Sequence, residues 1–310
     1  MVDILCIGEP LYELNEQPDG SFLPGCGGDV SNVCIAAARQ QAYVGLIANI
    51  GADTFGEKLQ VTWRREGVST KYVTSKLGED TGIYFVQHDA TGHKFLYRRK
   101  DSAASRLTRD DIPQSAIADA SLVYASGISL AVSGDLRDAT RHVIEVAVAN
   151  GRTVIFDPNL RIALWSLDEA RAVTHEIMKH CDIALPGLDD ARALTGHTSP
   201  EEIVRFYHSL GARIVALTLG ADGVAVSRGD GVKTIPGETV KTVDATGAGD
   251  CFNGVFMAAW LRSGNAVDAA AIANRAAAHS TTAYGAVTAP PYDAFLLKPK
   301  RMLEHEPSHD

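Results

Sequence analysis

The chain has 310 residues, 45% of them hydrophobic, and a formal charge of -9 from 29 basic and 38 acidic side chains. Such a composition supports a large folded core, and because the acids are interspersed and the only short basic clusters are Arg64-Arg65 and Arg98-Arg99-Lys100, it excludes nucleic acid as a main partner. No apolar stretch approaches the roughly 20 residues of a membrane-spanning helix, and the opening MVDILCIGEP is too short in its apolar run for a signal peptide, so a cytoplasmic protein with no membrane partner is expected.

In chain order, DILCIG (3–8) is the first run with the length of a buried strand. EPLYELNEQPDGSFLPG (9–25) then alternates apolar and polar residues around Pro-Asp-Gly, which is hairpin chemistry. GCGGDVSNVCIAAARQ (25–40) leads from glycines into a helix whose Val33, Ile35, Ala36 and Ala37 can pack. VGLIANIG (44–51) is a second strand, and TGIYFVQHDATGHKFLYRRKDSA (81–103) a second hairpin around Asp-Ala-Thr-Gly. His88 and His93 flank that turn and read as solvated hairpin residues rather than metal ligands.

SLVYASG (121–127), TVIFD (153–157), DIALP (182–186) and IVALTLG (214–220) continue the strands, with DLRDATRHVIEVAVANG and PEEIVRFYHSLGA as helices among them. Strands that are almost continuously apolar and alternate with helices predict an α/β protein with a mostly parallel central sheet covered on both faces. Its ligands should bind beyond the carboxyl ends of the strands. The two hairpins fit either an edge extension of that sheet or a small separate sheet acting as a lid. Cys6, Cys26, Cys34, Cys181 and Cys251 form an odd set without a CxxC pair and read as packing residues in a reducing compartment. The tail PKRMLEHEPSHD is expected to fray.

TVDATGAGDCF (242–252) carries the chemistry. From Asp250 the apolar positions Phe252, Val255, Phe256, Ala259 and Trp260 describe one helix face, and Gly264 stops it. Gly247, Ala248 and Gly249 therefore form the helix entry, where unpaired N–H groups and the macrodipole favour an anion and small side chains admit it. Asp250, in the first turn, could accept a proton from a hydroxyl beside a phosphate held there. The positive helix end is expected to lower its pKa. A plain glycine turn with a stabilising acid fits the same residues. The second glycine cluster, at 25–40, has no Walker GK[ST] and suggests a second ligand.

Together, Asp244-Ala245-Thr246-Gly247-Ala248-Gly249-Asp250 and Gly27-Gly28-Asp29-Val30-Ser31-Asn32 resemble the two motifs of the ribokinase-like (PfkB-type) carbohydrate kinases. The resemblance continues through NIGADTFG, REGVST, DPNLR, LTLGADGV and ANRAAAHSTTAYGA, over nearly the whole chain. Within the family, GEP with Tyr12-Glu13-Leu14, TGIYF, YRRKDSAAS and SGISLAV look most like the 2-keto-3-deoxygluconate kinases.

The resemblance implies a single ribokinase-like domain over residues 1–310, a three-layer sandwich with lid segments at about 9–25 and 81–103. It implies ATP with Mg2+, and transfer of a phosphoryl group to a sugar acid such as 2-keto-3-deoxygluconate. Asp250 would be the base, with Gly247, Ala248 and Gly249 as the anion hole and Arg161 beside the transferring phosphate. Gly28, Asp29, Asn32, Tyr84, Tyr97 and Arg99 would hold the acceptor. An arginine matches the planar carboxylate that a neutral sugar lacks. Asn159, Thr218, Gly220, Gly223 and Asn274 would join Gly247 and Gly249 on the nucleotide. The family's magnesium-associated NxxE reads Gly187-Leu188-Asp189-Asp190 here, so Asp190, through water, is the candidate, and Asp244 is the candidate beside a monovalent cation. A homodimer is implied by analogy. Another sugar such as fructose or ribose is the rival acceptor, and a sugar- or nucleotide-binding protein without catalysis the rival class.

Overall fold

The computed structural model describes residues 2–89 and 92–287, without the side chains of residues 88, 89, 92 and 93. The expectations for the tail at 299–310 and for the His88 and His93 side chains therefore lie outside the described residues.

β1 (Ile4–Ile7) leads into a hairpin of β2 (Leu11–Glu16) and β3 (Phe22–Gly27), followed by α1 (Asp29–Arg39), β4 (Val44–Gly51), α2 (Thr54–Arg65) and β5 (Val73–Lys76). A second hairpin, β6 (Ile83–Asp89) and β7 (Gly92–Arg98), precedes α3 (Gln114–Asp119), β8 (Leu122–Ser126), α4 (Gly127–Ala131) and α5 (Gly134–Ala149). β9 (Thr153–Asp157), α6 (Leu167–Met178), β10 (Ile183–Ala184), α7 (Leu188–Thr195) and α8 (Pro200–Leu210) follow. The chain then forms β11 (Ile214–Thr218), the hairpin β12 (Gly223–Ser227) and β13 (Val232–Pro236), and the helical pair α9 (Ala248–Ser263) and α10 (Ala266–Ser280).

The large sheet has nine strands in the order β13-β12-β11-β10-β9-β8-β1-β4-β5. β11 to β5 are parallel throughout, and β12 and β13 pair antiparallel at one edge. Strand periodicity divides the core in two. Leu5, Ile7, Val123, Ala125, Val154 and Phe156 pack with residues of α3 to α8, whereas Ile4, Cys6, Leu122, Tyr124 and Ile155 pack with α1, α2, α9 and α10. Three layers result, as expected from the nearly continuous apolar strands. The β13 edge was less visible in the sequence because only half-buried Val232 and Ile235 face inward along that strand.

The two hairpins do not extend the large sheet. They form a separate four-stranded sheet in the order β3-β2-β6-β7, with β2 and β6 parallel at its centre. β3 ends directly at the entry of α1, so the small sheet is rooted beside the carboxyl end of β1. α1 and α9 pack closely because Gly254 has no side chain: a Cβ there would come within 2.4 Å of the Val33 carbonyl. All five cysteines are buried and unpaired, as packing residues should be. No helix among the described residues is long and apolar enough to cross a membrane.

Candidate active site

Gly247 begins α9 in the left-handed region at φ 74°, and a Cβ there would lie 2.8 Å from the Ala286 carbonyl, so glycine is required. A Cβ on Gly249 would meet nothing within 4 Å, so that residue opens onto space. Asp244 holds the approach to this turn. Its Oδ1 accepts from Thr246 N and its Oδ2 from Gly285 N, each at 2.9 Å, so the residue suggested for a monovalent cation has both oxygens engaged by backbone. Of the three amides expected to bind an anion, that of Ala248 donates to the Ala245 carbonyl at 3.2 Å. Gly249 and Asp250 carry the first-turn N–H groups that a helix leaves without upstream carbonyls.

Two clefts meet at this turn. The larger, about 540 Å3, is lined by Thr218, Gly220, Gly223, Gly249, Asn274 and small alanines. The smaller, about 310 Å3, is lined by Asp157, Asn159, Arg161, Asp190, Gly247 and Asp250, with Phe95 of β7 reaching in from the small sheet. Thr218, Ala245, Ala248 and Gly249 border both. Most residues assigned to a nucleotide thus line the larger space, although the Asn274 amide donates to the Pro236 carbonyl at 2.9 Å and so braces the wall. Asn159 departs from that group: it lines the smaller cleft, and its Nδ2 donates to Asp29 Oδ2 at 3.1 Å.

Asp250 is partly exposed at its cleft and accepts at Oδ2 from Asn32 Nδ2 at 2.8 Å. The expected lowering of its pKa by the helix end is overturned. Enclosure by protein, and then the charge of Asp29, push it up to about 7, against smaller opposing effects of Asn32 and Arg161. Desolvation of a carboxylate beside a like charge outweighs a half-charge of helix dipole. Asp29 is itself raised by burial.

Arg161 donates to the Leu160 carbonyl at 2.8 Å and lies 3.9 Å from Asp190, whose Oδ2 accepts from Leu160 N at 2.9 Å. Arg99 pairs with buried Glu9 and lies over the Tyr97 ring at 5.2 Å. Tyr84, in turn, is buried and gives its hydroxyl to Glu13 rather than to open space. Burial pushes Glu9 up to about 7 despite Arg99. Gly28 caps α1 at φ 85°, where a Cβ would come within 2.4 Å of the Glu9 carbonyl.

Sequence reasoning passed over Asp157, Asn253, Glu9 and Phe95. Asp157 is buried, its pKa raised well above the usual range by burial and then by Asp190, and it accepts from Asn253 Nδ2 at 2.7 Å. One signal was available: Asn253 stands three residues after Asp250, on the same side of α9.

The arrangement offers a helix entry with unpaired first-turn N–H groups, a carboxylate with a pKa raised to about 7 beside it, and one cleft on either side. The model of the pfkB family carbohydrate kinases matches residues 1–292. A 2-dehydro-3-deoxygluconokinase of Thermoproteus tenax is 35% identical over 272 aligned positions, and the alignment covers 84% of this chain and 82% of that protein. The fructokinase of Vibrio cholerae O395, solved with fructose, ADP and a calcium ion, superposes with a TM-score of 0.85 at 28% identity over 95% of this chain and 98% of its own. The aminoimidazole riboside kinase of Salmonella enterica, solved with its riboside and an ATP analog, gives 0.84 at 25% identity over 94% and 98%. The chain therefore belongs to the pfkB family of carbohydrate kinases, phosphotransferases with an alcohol acceptor and the ribokinase-like α/β fold.

Proposed function

We propose that the protein transfers the γ-phosphoryl group of ATP to 2-keto-3-deoxygluconate, forming 2-keto-3-deoxy-6-phosphogluconate. The observation that carries the catalytic reading is the place of Asp250: it lies at the helix entry shared by the two clefts and is held by Asn32 at 2.8 Å. ATP occupies the larger cleft with its phosphates toward Gly247 and Gly249, and the acceptor lies in the smaller one beneath the small sheet, which serves as a lid. Asp250 orients the acceptor hydroxyl and takes its proton as the oxygen bonds to the γ-phosphorus. The bond from that phosphorus to the bridging β,γ-oxygen breaks, and ADP leaves. A pKa near neutrality suits this role, since a base is most effective close to the working pH. Shielding by Phe95 and the small sheet keeps water from the phosphoryl group.

The acid class of the acceptor is supported by Arg161 in the smaller cleft, by Arg99 beside Tyr97 at the root of the small sheet, and by the similarity to 2-dehydro-3-deoxygluconokinases. Asp157 and Asp190 would hold magnesium with ATP: both line the smaller cleft, and burial raises the pKa of both, so a cation there would relieve their crowded charge. When bound, magnesium neutralises phosphate oxygens during transfer. Exposed Phe22, Leu23 and Leu96 on the small sheet support pairing between two copies.

An acceptor panel with ATP, followed by locating the phosphate in the product, tests the reading. 2-Keto-3-deoxygluconate should be the best acceptor and carry phosphate at its terminal hydroxyl. ADP release no faster than in buffer with that sugar, alongside turnover of fructose or ribose, would sink the assignment.

A further inference from the structure

The small sheet meets the main body at an enclosed ion pair. Glu9 lies between β1 and β2 and Arg99 directly follows β7, so their contact joins the roots of two different hairpins. The Glu9 side chain is 0% exposed and that of Arg99 12%. Close packing of the Glu9 carbonyl against Gly28 fixes the acid's backbone, while Tyr97 lies under the guanidinium.

The pair is half-made. Arginine and a carboxylate often meet through two parallel hydrogen bonds, yet only Arg99 Nη2 donates to Glu9 Oε2. Glu9 Oε1 and Arg99 Nε are buried and have no hydrogen-bond partner. Two further idle acceptors, Asp29 Oδ1 and Asn32 Oδ1, belong to the acceptor motif itself. Leaving buried polar atoms unmatched is costly, so this contact is not built for stability alone.

We propose that Glu9 is a positioning residue for Arg99: by taking Nη2 at the root of the small sheet, it directs the guanidinium's remaining donors to the carboxylate of the sugar acid. Glu9 touches no reacting atom. Glu9 also occupies Arg99 when no acceptor is bound, so the arginine need not swing out to solvent. This role rests on the reading of the acceptor as an acid held by Arg99; a neutral sugar gains nothing from an oriented arginine.

A double-mutant cycle tests it, with KM and kcat measured for 2-keto-3-deoxygluconate and KM for ATP in wild type, Glu9→Ala, Arg99→Ala and the double variant. Glu9→Ala should raise the acceptor KM about tenfold to a hundredfold, the scale of one charge-assisted hydrogen bond, with kcat changed less than threefold and the ATP KM unmoved. Once Arg99 is alanine, removing Glu9 should add less than twofold. Glu9→Gln, which keeps the shape but not the charge, should fall between wild type and Glu9→Ala and replaces the latter in the cycle if that variant does not fold. Penalties that multiply independently, or a Glu9 effect that falls equally on ATP, would overturn the positioning role while leaving the acceptor assignment intact. A wild-type enzyme that turns over a neutral sugar and not the acid would overturn both.

Discussion

Asn32 Nδ2 donates to Asp250 Oδ2 at 2.8 Å, joining the first turns of α1 and α9 across 218 positions of sequence. The bond aims the carboxylate and makes the packing of two helices part of the site. Since the amide favours the charged form while burial and Asp29 oppose it, the same contact tempers the pKa of Asp250.

Asp250→Asn should lower kcat by about a thousandfold or more, the scale of a positioned base, and leave ATP affinity within a few-fold. Stopped assays for turnover and calorimetry for nucleotide binding separate the two effects. Turnover near the wild-type rate would remove Asp250 from the mechanism.

A carboxyl whose pKa is raised by folding holds its proton more tightly in the fold. Its contribution favours the folded state at low pH and is lost as pH rises from about 4, the unfolded value, through about 7. Asp250→Asn should therefore melt a few degrees above the ligand-free wild type at pH 8, with the difference shrinking toward pH 5. Scanning calorimetry across that range checks the sign.

The free enzyme's kcat/KM should rise with pH through about 7 as Asp250 ionises. Asp29 is the charged neighbour that most raises this pKa, so Asp29→Asn should move the acidic limb to lower pH even though the acceptor KM increases. A limb that stays in place in that variant would assign it to another group.

Gly254→Ala should destabilise the protein by about 1–3 kcal/mol, because the new methyl would come within 2.4 Å of the Val33 carbonyl and 2.7 Å of Ala36 Cβ. Pushing α1 from α9 also parts Asn32 from Asp250, so kcat/KM should fall more than ATP affinity. Chemical denaturation and steady-state kinetics on the same variant read both consequences.

Asp53 caps α2 by accepting from Gly56 N at 2.8 Å, and it also accepts from Thr81 N at 2.7 Å and Thr81 Oγ1 at 2.9 Å, just before β6. Asp53→Ala should cost about 1–2 kcal/mol as a lost cap and raise the acceptor KM by loosening the root of the small sheet. Melting and kinetics should change together; a melting change alone would confine Asp53 to capping.

Much of the architecture was legible locally. Runs such as Val44–Gly51, buried at every position, can serve only as strands covered on both faces. Likewise, Gly247 and Gly249 ahead of an apolar helical stripe announce a glycine-opened helix entry with unpaired first-turn N–H groups, because backbone conformation and free N–H groups depend on neighbours in sequence. The alternating hairpins announced strands but left their sheet open, since alternation reports one solvated face and not its partner strands.

Tertiary structure decided what those local patterns could not. It seated Asp250 against Asn32 and Asp29, reversing the direction its helix position alone implied, and it brought Asp157 to the cleft with Asn253 behind it. It also spent Asp244 on backbone amides and closed Arg99 onto Glu9. Short-range periodicity and backbone freedom are enough to set which segments become strands and helices and which helix entry is opened by glycines. Ionisation and side-chain pairing depend on desolvation and on charges brought together from distant parts of the chain, so only the folded arrangement decides them.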